Sequence, residues 1–192
     1  MSKRMDATTF DTESPQLKIV TDREITLQII PSFTRLVALK DQGTYAHSER
    51  VSELAREWTS YMRSRWQWLE LDIEAFETAA LLHDIGKVGV LDEVLHKAGK
   101  LTPGERDHLE QHSEIGYQMI RDYPGVDLIS QGVRHHHERW DGRGYPLGLK
   151  EDRIPWIARA IAIVDAFDAM TSERSYRQKV SHREALEEIQ RE

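Results

Sequence analysis

The stretch Leu81-Leu82-His83-Asp84-Ile85-Gly86-Lys87 is an apolar run that stops at an imidazole, a carboxylate and, shortly after, an amine. Lys87 follows His83 by four residues and Asp84 by three, so helical spacing puts all three on one face. A carboxylate in apolar surroundings is costly unless it is partnered. A divalent cation removes that cost, because neutral His and ionised Asp are ordinary ligands for zinc, iron or manganese. The stretch therefore predicts a buried helix that ends in a metal centre, with Lys87 as a candidate proton donor beside it. The same residues also suit a hydrogen-bonded His–Asp pair closing a helix, with Lys87 near the negative end of its dipole.

Outward from this stretch the pattern stays helical. Ile25, Ile29, Ile30, Phe33, Leu36, Val37 and Leu39 recur at helical spacing from Arg23, with Pro31 read as a kink or boundary. Asp41-Gln42-Gly43-Thr44 breaks that run and can cap a helix carrying Val51, Leu54, Ala55 and Trp58. A third helix is predicted over Ile73 to Gly86. Thr102-Pro103-Gly104-Glu105 reads as an N-cap with Pro at the first helical position, opening a helix that includes His108, His112 and Ile115. Another covers Val126 to His137, Pro155 opens an apolar helix through Met170, and Ser181 caps a last one. Between them lies a Gly-rich break, Trp140-Asp141-Gly142-Arg143-Gly144-Tyr145-Pro146-Leu147-Gly148. No run alternates at period two, so the expected architecture is an all-α helical bundle with one prominent loop. Residues 1–22 are polar and read as a tail or linker; residues 23–192 form the domain.

The chain of 192 residues suits one domain with a real core. It has no cysteine, which excludes disulfides, thiolate metal sites and a cysteine nucleophile. No apolar stretch is long enough to span a bilayer and there is no secretory signal, so the cytoplasm is the default. The net charge of −7 argues against general nucleic-acid binding. One segment runs against it: Ser172 to Arg183 carries Arg174, Arg177, Lys179 and Arg183 against the single acid Glu173. Such a patch suits a small anionic ligand or a solvated flank of a helix.

Further residues can join His83 and Asp84: His47, His112, the adjacent His136 and His137, and Asp165, an acid set in a strongly apolar helix. Five histidines and two aspartates on several helices are the materials of bundle-core metal chemistry, and seven donors exceed the needs of one ion. His96, His108 and His182 are assigned ordinary surface or core roles.

His47, His83-Asp84-Ile85-Gly86-Lys87, His112, His136-His137-Glu138, Asp141-Gly142-Arg143-Gly144-Tyr145-Pro146 and Asp165 together resemble the HD-GYP domain, a subgroup of the HD phosphohydrolase superfamily. The resemblance runs from about Arg23 to Glu192. It implies an all-α domain that hydrolyses cyclic di-GMP to linear pGpG or to GMP with iron or manganese, zinc, nickel or cobalt being alternatives picked up on purification. By matched position, one ion takes His47, His83, Asp84 and Asp165, and the other takes Asp84, His112, His136 and His137. The attacking group would be a hydroxide bridging the two ions. Asp84 is the shared, catalytic carboxylate and Lys87 the catalytic lysine. Tyr145 stacks near a guanine, while Arg174 and Arg177 grip ligand phosphate. Asp168 and Glu138 are candidates for orienting a ligand histidine; Asp168 equally suits a helix-capping acid and Glu138 a solvent-facing one. Gly43 stands where members with a third metal carry Glu, so two ions are expected. Leu91 replaces a usual Pro, and the family commonly continues past Glu192 with further helices. A regulatory or sensory domain and a homodimer are the partners to expect; a nucleic-acid polymer and a membrane are not. The alternatives are a superfamily hydrolase of another cyclic dinucleotide or nucleotide, and a non-catalytic binding or interaction module. The presence of all seven donors weighs against the last.

Overall fold

Helix α1 (Asp22–Lys40) turns through Asp41 alone into α2 (Gln42–Arg63). The Asp41 carboxylate accepts the backbone N–H groups of Gly43 and Thr44 at 3.2 and 2.9 Å, so it satisfies donors that the first turn of α2 leaves unpaired. The computed structural model describes residues 22–63, 70–172 and 179–191. The tail expected over residues 1–22 lies outside them except for Asp22, the first residue of α1. Helix α3 (Glu70–Leu82) leads into a short 3-10 helix, Ile85–Gly89, and then α4 (Asp92–Leu95) and α5 (Pro103–Glu110). Helices α6 (His112–Ile120) and α7 (Asp127–His135) precede the Gly-rich loop, which ends in a 3-10 turn, Glu151–Arg153. Helices α8 (Trp156–Thr171) and α9 (His182–Ile189) complete the described chain. There is no strand among the described residues, and the fold is all-α as expected.

Helix α3 lies at the centre, packed on α2, α7 and α8. Val51 and Ala55 of α2, Phe76, Ala79 and Ala80 of α3, Val133 of α7, and Ile157 and Ile161 of α8 are fully buried in one contiguous core. Each such Phe or Ile contributes about 1.5–3 kcal/mol through the apolar surface it removes from water. Trp58 meets Phe76 edge to face at 5.5 Å, and Phe33 meets Tyr123 in the same manner at 5.9 Å. Two further sequence-predicted N-caps are present as reciprocal capping boxes, Thr102 with Glu105 and Ser181 with Glu184.

Three boundaries differ from the sequence reading. Pro31 sits inside α1 rather than ending it; Ile30, Phe33 and Val37 pack on the core and carry the helix through the missing N–H. The helix expected to run through His108 and His112 breaks at Gln111. His112 donates its Nδ1–H to Leu109 O at 2.8 Å, taking a carbonyl that a continuous helix would use. The third helix ends at Leu82 rather than Gly86, so His83, Asp84 and Lys87 do not share a helical face. Asp84 adopts φ −97°, ψ 7°, a sparsely populated backbone region in which active-site residues are often found.

The 3-10 helix passes so close to α6 that a Cβ on Gly86 would lie 1.8 Å from His112 O. Only glycine fits there, and the contact seats Asp84 against His112. Gly86→Ala should therefore destabilise the protein by about 3 kcal/mol or more, the upper end of overpacking costs. A thermal melt of the variant within 2 °C of the parent would contradict this, since about 1 kcal/mol already shifts a domain of this size by roughly 2–4 °C.

Candidate metal centre

The candidate donors are delivered by helix ends. His83 follows the last residue of α3, His136 follows the last residue of α7, and His112 lies two residues beyond α5. Each uses Nδ1 to cap a carbonyl of the turn that precedes it: His83 on Ala80 O at 2.7 Å, His136 on Val133 O at 2.7 Å and His112 on Leu109 O at 2.8 Å. Those carbonyls belong to the last turns of their helices, which lack intrahelical donors. A carbonyl only accepts, so Nδ1 must carry the proton in all three rings, and Nε2 is left as a bare acceptor.

The three Nε2 atoms converge around Asp84. His83 Nε2 lies 3.4 Å from Asp84 Oδ2, and His112 Nε2 lies 3.4 Å from Asp84 Oδ1. His112 Nε2 and His136 Nε2 face each other at 3.4 Å as two acceptors, and His83 Nε2 is buried with no hydrogen-bond partner. Lone pairs directed at one another and at a carboxylate, away from water, need a cation among them. Two clusters have donor atoms within 4.8 Å of one another: Asp84 with His112, His136 and His137, and His47 with His83 and Asp84. The Asp84 carboxylate belongs to both and turns one oxygen toward each.

Asp165 faces His47, its carboxylate 2.9 Å from Nε2, rather than joining either close cluster. His47 lies within α2, where the ladder occupies the backbone carbonyls, and its Nδ1 meets the buried Asp168 at 2.6 Å. Asp168 also takes a two-pronged contact from Arg50 and the Ser172 hydroxyl at 2.7 Å. Asp168 therefore contacts the ring of a candidate ligand histidine directly. Glu138 neither faces solvent nor touches a candidate ligand histidine. Its side chain is wholly buried and accepts Leu147 N–H at 2.8 Å and Leu149 N–H at 2.9 Å, tying the Gly-rich loop to the end of α7. Tyr145 packs against His137 with ring centroids 4.7 Å apart and the planes tilted by 31°. A Cβ on Gly144 would lie 2.4 Å from His137 O, so the loop reaches the histidines through glycine. Lys87 Nζ is 2.6 Å from Asp84 Oδ2. Arg174 and Arg177 lie outside the described residues. His108 accepts Leu91 N–H and His182 packs on Phe167, both away from the centre.

Sequence reasoning missed Arg50, and its signal was the spacing of three from His47 that places both on one side of α2. It also missed the loop-clamping role of Glu138, which no local pattern encodes.

Charge follows from this geometry. Burial raises the Asp84 carboxyl, but the Lys87 ammonium beside it works against this, and the carboxyl lies well below the usual carboxylate range. Burial and neighbouring histidines push His136 well down and His137 down to about 3, so both imidazoles are neutral and ready to donate lone pairs. Burial alone would lower His47, yet hydrogen bonds to Asp165 and Asp168 prevail and lift it to about 9. His47 thus holds a proton on the nitrogen that faces Asp165, the position a metal would take. The donor set thus fits divalent ions: neutral imidazoles, ionised carboxylates and orphaned buried acceptors.

A model of the HD domain family matches residues 31–192. The chain belongs to the HD domain family. A cyclic di-GMP phosphodiesterase of Thermotoga maritima is 38% identical over 165 residues, which cover 85% of this chain and 44% of the relative. The cyclic di-GMP phosphodiesterase response regulator RpfG of Xanthomonas campestris is 35% identical over 79% of this chain and 39% of its own length. A 3'3'-cGAMP-specific phosphodiesterase of Vibrio cholerae is 31% identical over 87% of this chain and 32% of its own length. This HD domain therefore spans less than half the length of the relatives named. The fold is that of Bd1817, an HDG"Y"P protein from Bdellovibrio bacteriovorus, with a TM-score of 0.57 at 19% identity over 88% of this chain and 54% of that one. The HD-GYP resemblance drawn from the motifs agrees with these matches.

Two outcomes follow for the HD domain. His47 binds its proton more tightly folded than unfolded, so its contribution to stability is full below its ordinary 6.5 and is lost as pH rises through about 9. His137 binds its proton less tightly when folded, so stability falls as pH drops from 6.5 toward about 3, and His136 acts in the same direction. Chelator-treated protein should melt highest at about pH 6–7 and lose stability on either side, by up to ~1.4 kcal/mol per pH unit for each group titrating. A flat melting profile from pH 5 to 9 would contradict it. Glu138→Ala should expose the Leu147 and Leu149 amides, raising their hydrogen-exchange rates at least tenfold over the parent, a loss of about 1.4 kcal/mol or more of local protection.

Proposed function

We propose that this HD domain is a metal-dependent phosphodiesterase of cyclic di-GMP, giving linear pGpG or GMP. The observation that carries the proposal is the convergence of bare His Nε2 atoms on both oxygens of one buried carboxylate, in a family whose relatives include named cyclic di-GMP phosphodiesterases. His47, His83, Asp84 and Asp165 would hold one divalent ion, and Asp84, His112, His136 and His137 the other. When bound, such a pair supplies a water activated for attack on phosphorus and positive charge opposite the non-bridging oxygens. Iron and manganese suit this mixed imidazole and carboxylate set, and zinc accepts the same donors.

The protein's own groups divide the remaining work. Asp84 keeps its charge in a buried position and aligns the two halves. Lys87, tethered to Asp84 and partly open to solvent, places an ammonium where it contacts a substrate phosphate or gives a proton to the departing oxygen. Tyr145, held by the clamped loop over His137, offers an aromatic face at the rim, and stacking of a base on such a face is worth ~1–3 kcal/mol. Arg174 and Arg177 supply the positive charge for the second phosphate. A second reading, hydrolysis of 3'3'-cGAMP, is favoured by the relatives in Vibrio cholerae that carry that name. Both substrates present phosphodiester linkages, so the same donors would serve either.

Metal content and turnover on cyclic di-GMP and 3'3'-cGAMP, measured on one anaerobic manganese- or iron-loaded sample, test the proposal. Two ions per chain and hydrolysis of cyclic di-GMP are expected. Asp84→Ala should lose metal and all activity. Lys87→Ala should keep its metal and lose about 100-fold in turnover, the low end of general acid contributions. Metal-loaded protein inert toward both substrates would refute the enzymatic reading.

A further inference from the structure

Resting on the two-metal reading above, we infer that Arg50 is the positioning residue of the half-site built on His47. His83, His112 and His136 fix their rings against backbone carbonyls at helix ends. His47 has no such option. It lies inside α2, where the carbonyls on offer are already used by the helix, so its Nδ1 needs a side-chain acceptor from another element. Asp168 of α8 is that acceptor, at 2.6 Å.

A carboxylate exposed by only 3% would be costly to hold on one imidazole. Arg50 offsets the cost. Its Nε donates to Asp168 Oδ1 at 2.7 Å and its second prong donates to Oδ2 at 2.9 Å, a planar fork on a planar acceptor. The Ser172 hydroxyl fills a remaining acceptor position on Oδ1 at 2.7 Å. With both oxygens engaged, the carboxylate cannot rotate, and the His47 ring is aimed with Nε2 toward Asp165 and the metal cluster. Arg50 and His47 stand three apart on α2, so one helix supplies both the candidate ligand and the group that steadies its support. The guanidinium side chain is 42% exposed. Water can therefore replace it, and its removal loosens the ring without opening a core cavity.

The prediction is selective. Arg50→Gln should leave the Asp84, His112, His136 and His137 cluster as it is and weaken only the half-site of His47. Wild type, Arg50→Gln and Arg50→Lys, each stripped by chelator, are titrated with Mn²⁺ by calorimetry and followed by electron paramagnetic resonance for the coupled pair. Wild type should take two equivalents. Arg50→Gln should bind its tighter equivalent with unchanged affinity and the other about 10–100-fold more weakly, the range for loss of a group that orients a ligand. The coupled-pair signal should fall accordingly. Arg50→Lys should recover part of the loss, because an ammonium restores charge but not the fork. Two equivalents at wild-type affinity in Arg50→Gln overturn the inference. So does equal weakening of both together with a lowered metal-free melting temperature, which would mark Arg50 as a general structural residue. Wild type that takes fewer than two ions overturns the two-metal reading itself, and the inference with it.

Discussion

Three histidines spend one ring nitrogen on closing a helix, and that commitment organises the rest of the molecule. A helix end leaves carbonyls without donors, and an imidazole beyond the last turn can supply one. Once Nδ1 is used in this way, Nε2 has only a lone pair to offer. His83, His112 and His136 do this at the ends of α3, α5 and α7, and the core packing of α3 against α7 brings the bare nitrogens together. The close passage at Gly86 seats the Asp84 turn against His112. Burial of Asp84 among acceptors is then tolerable only with positive charge close by, and Lys87 supplies one such charge at the edge.

The two halves of the centre are built by different means. The half around His112, His136 and His137 is neutral, deeply buried and held largely by backbone. The half around His47 is held by side chains: Asp165 and Asp168, one helical turn apart on α8, grip the two nitrogens of a single ring. Side-chain supports can be altered without breaking a helix, whereas backbone supports cannot. A metal bound as proposed would thus have an affinity adjustable on the His47 side and tied to folding on the other.

The Gly-rich loop packs on this centre. Two backbone N–H groups bonded to the buried Glu138 carboxylate fix its course, and Gly144 lets it approach His137 closely enough for Tyr145 to lie on the imidazole. An aromatic ring placed there is coupled by contact to His137, a candidate ligand. Imidazole and carboxylate donors present nothing that distinguishes one purine from another. On the proposed reading, discrimination between cyclic di-GMP and 3'3'-cGAMP would fall to the loop and to groups around it; relatives of both names share similar identity with this chain.

The sequence alone determined the helical class, the capping boxes at Thr102 and Ser181, and the identity of the residues that gather at the centre. Helical periodicity, cap chemistry and His or Asp set in apolar runs are local signals, written within a few residues of where they act. Tertiary structure decided the rest. That α3 stops at Leu82, and that a new helix starts at His112, depends on side chains competing for carbonyls in a packed setting, which periodicity does not register. The division of Asp84 between two clusters, the fork of Arg50 on Asp168 across 118 residues of chain, and the hold of Glu138 on the loop are relations between elements. Residue types advertise what chemistry is available; only packing determines which nitrogen faces inward and what stands behind it.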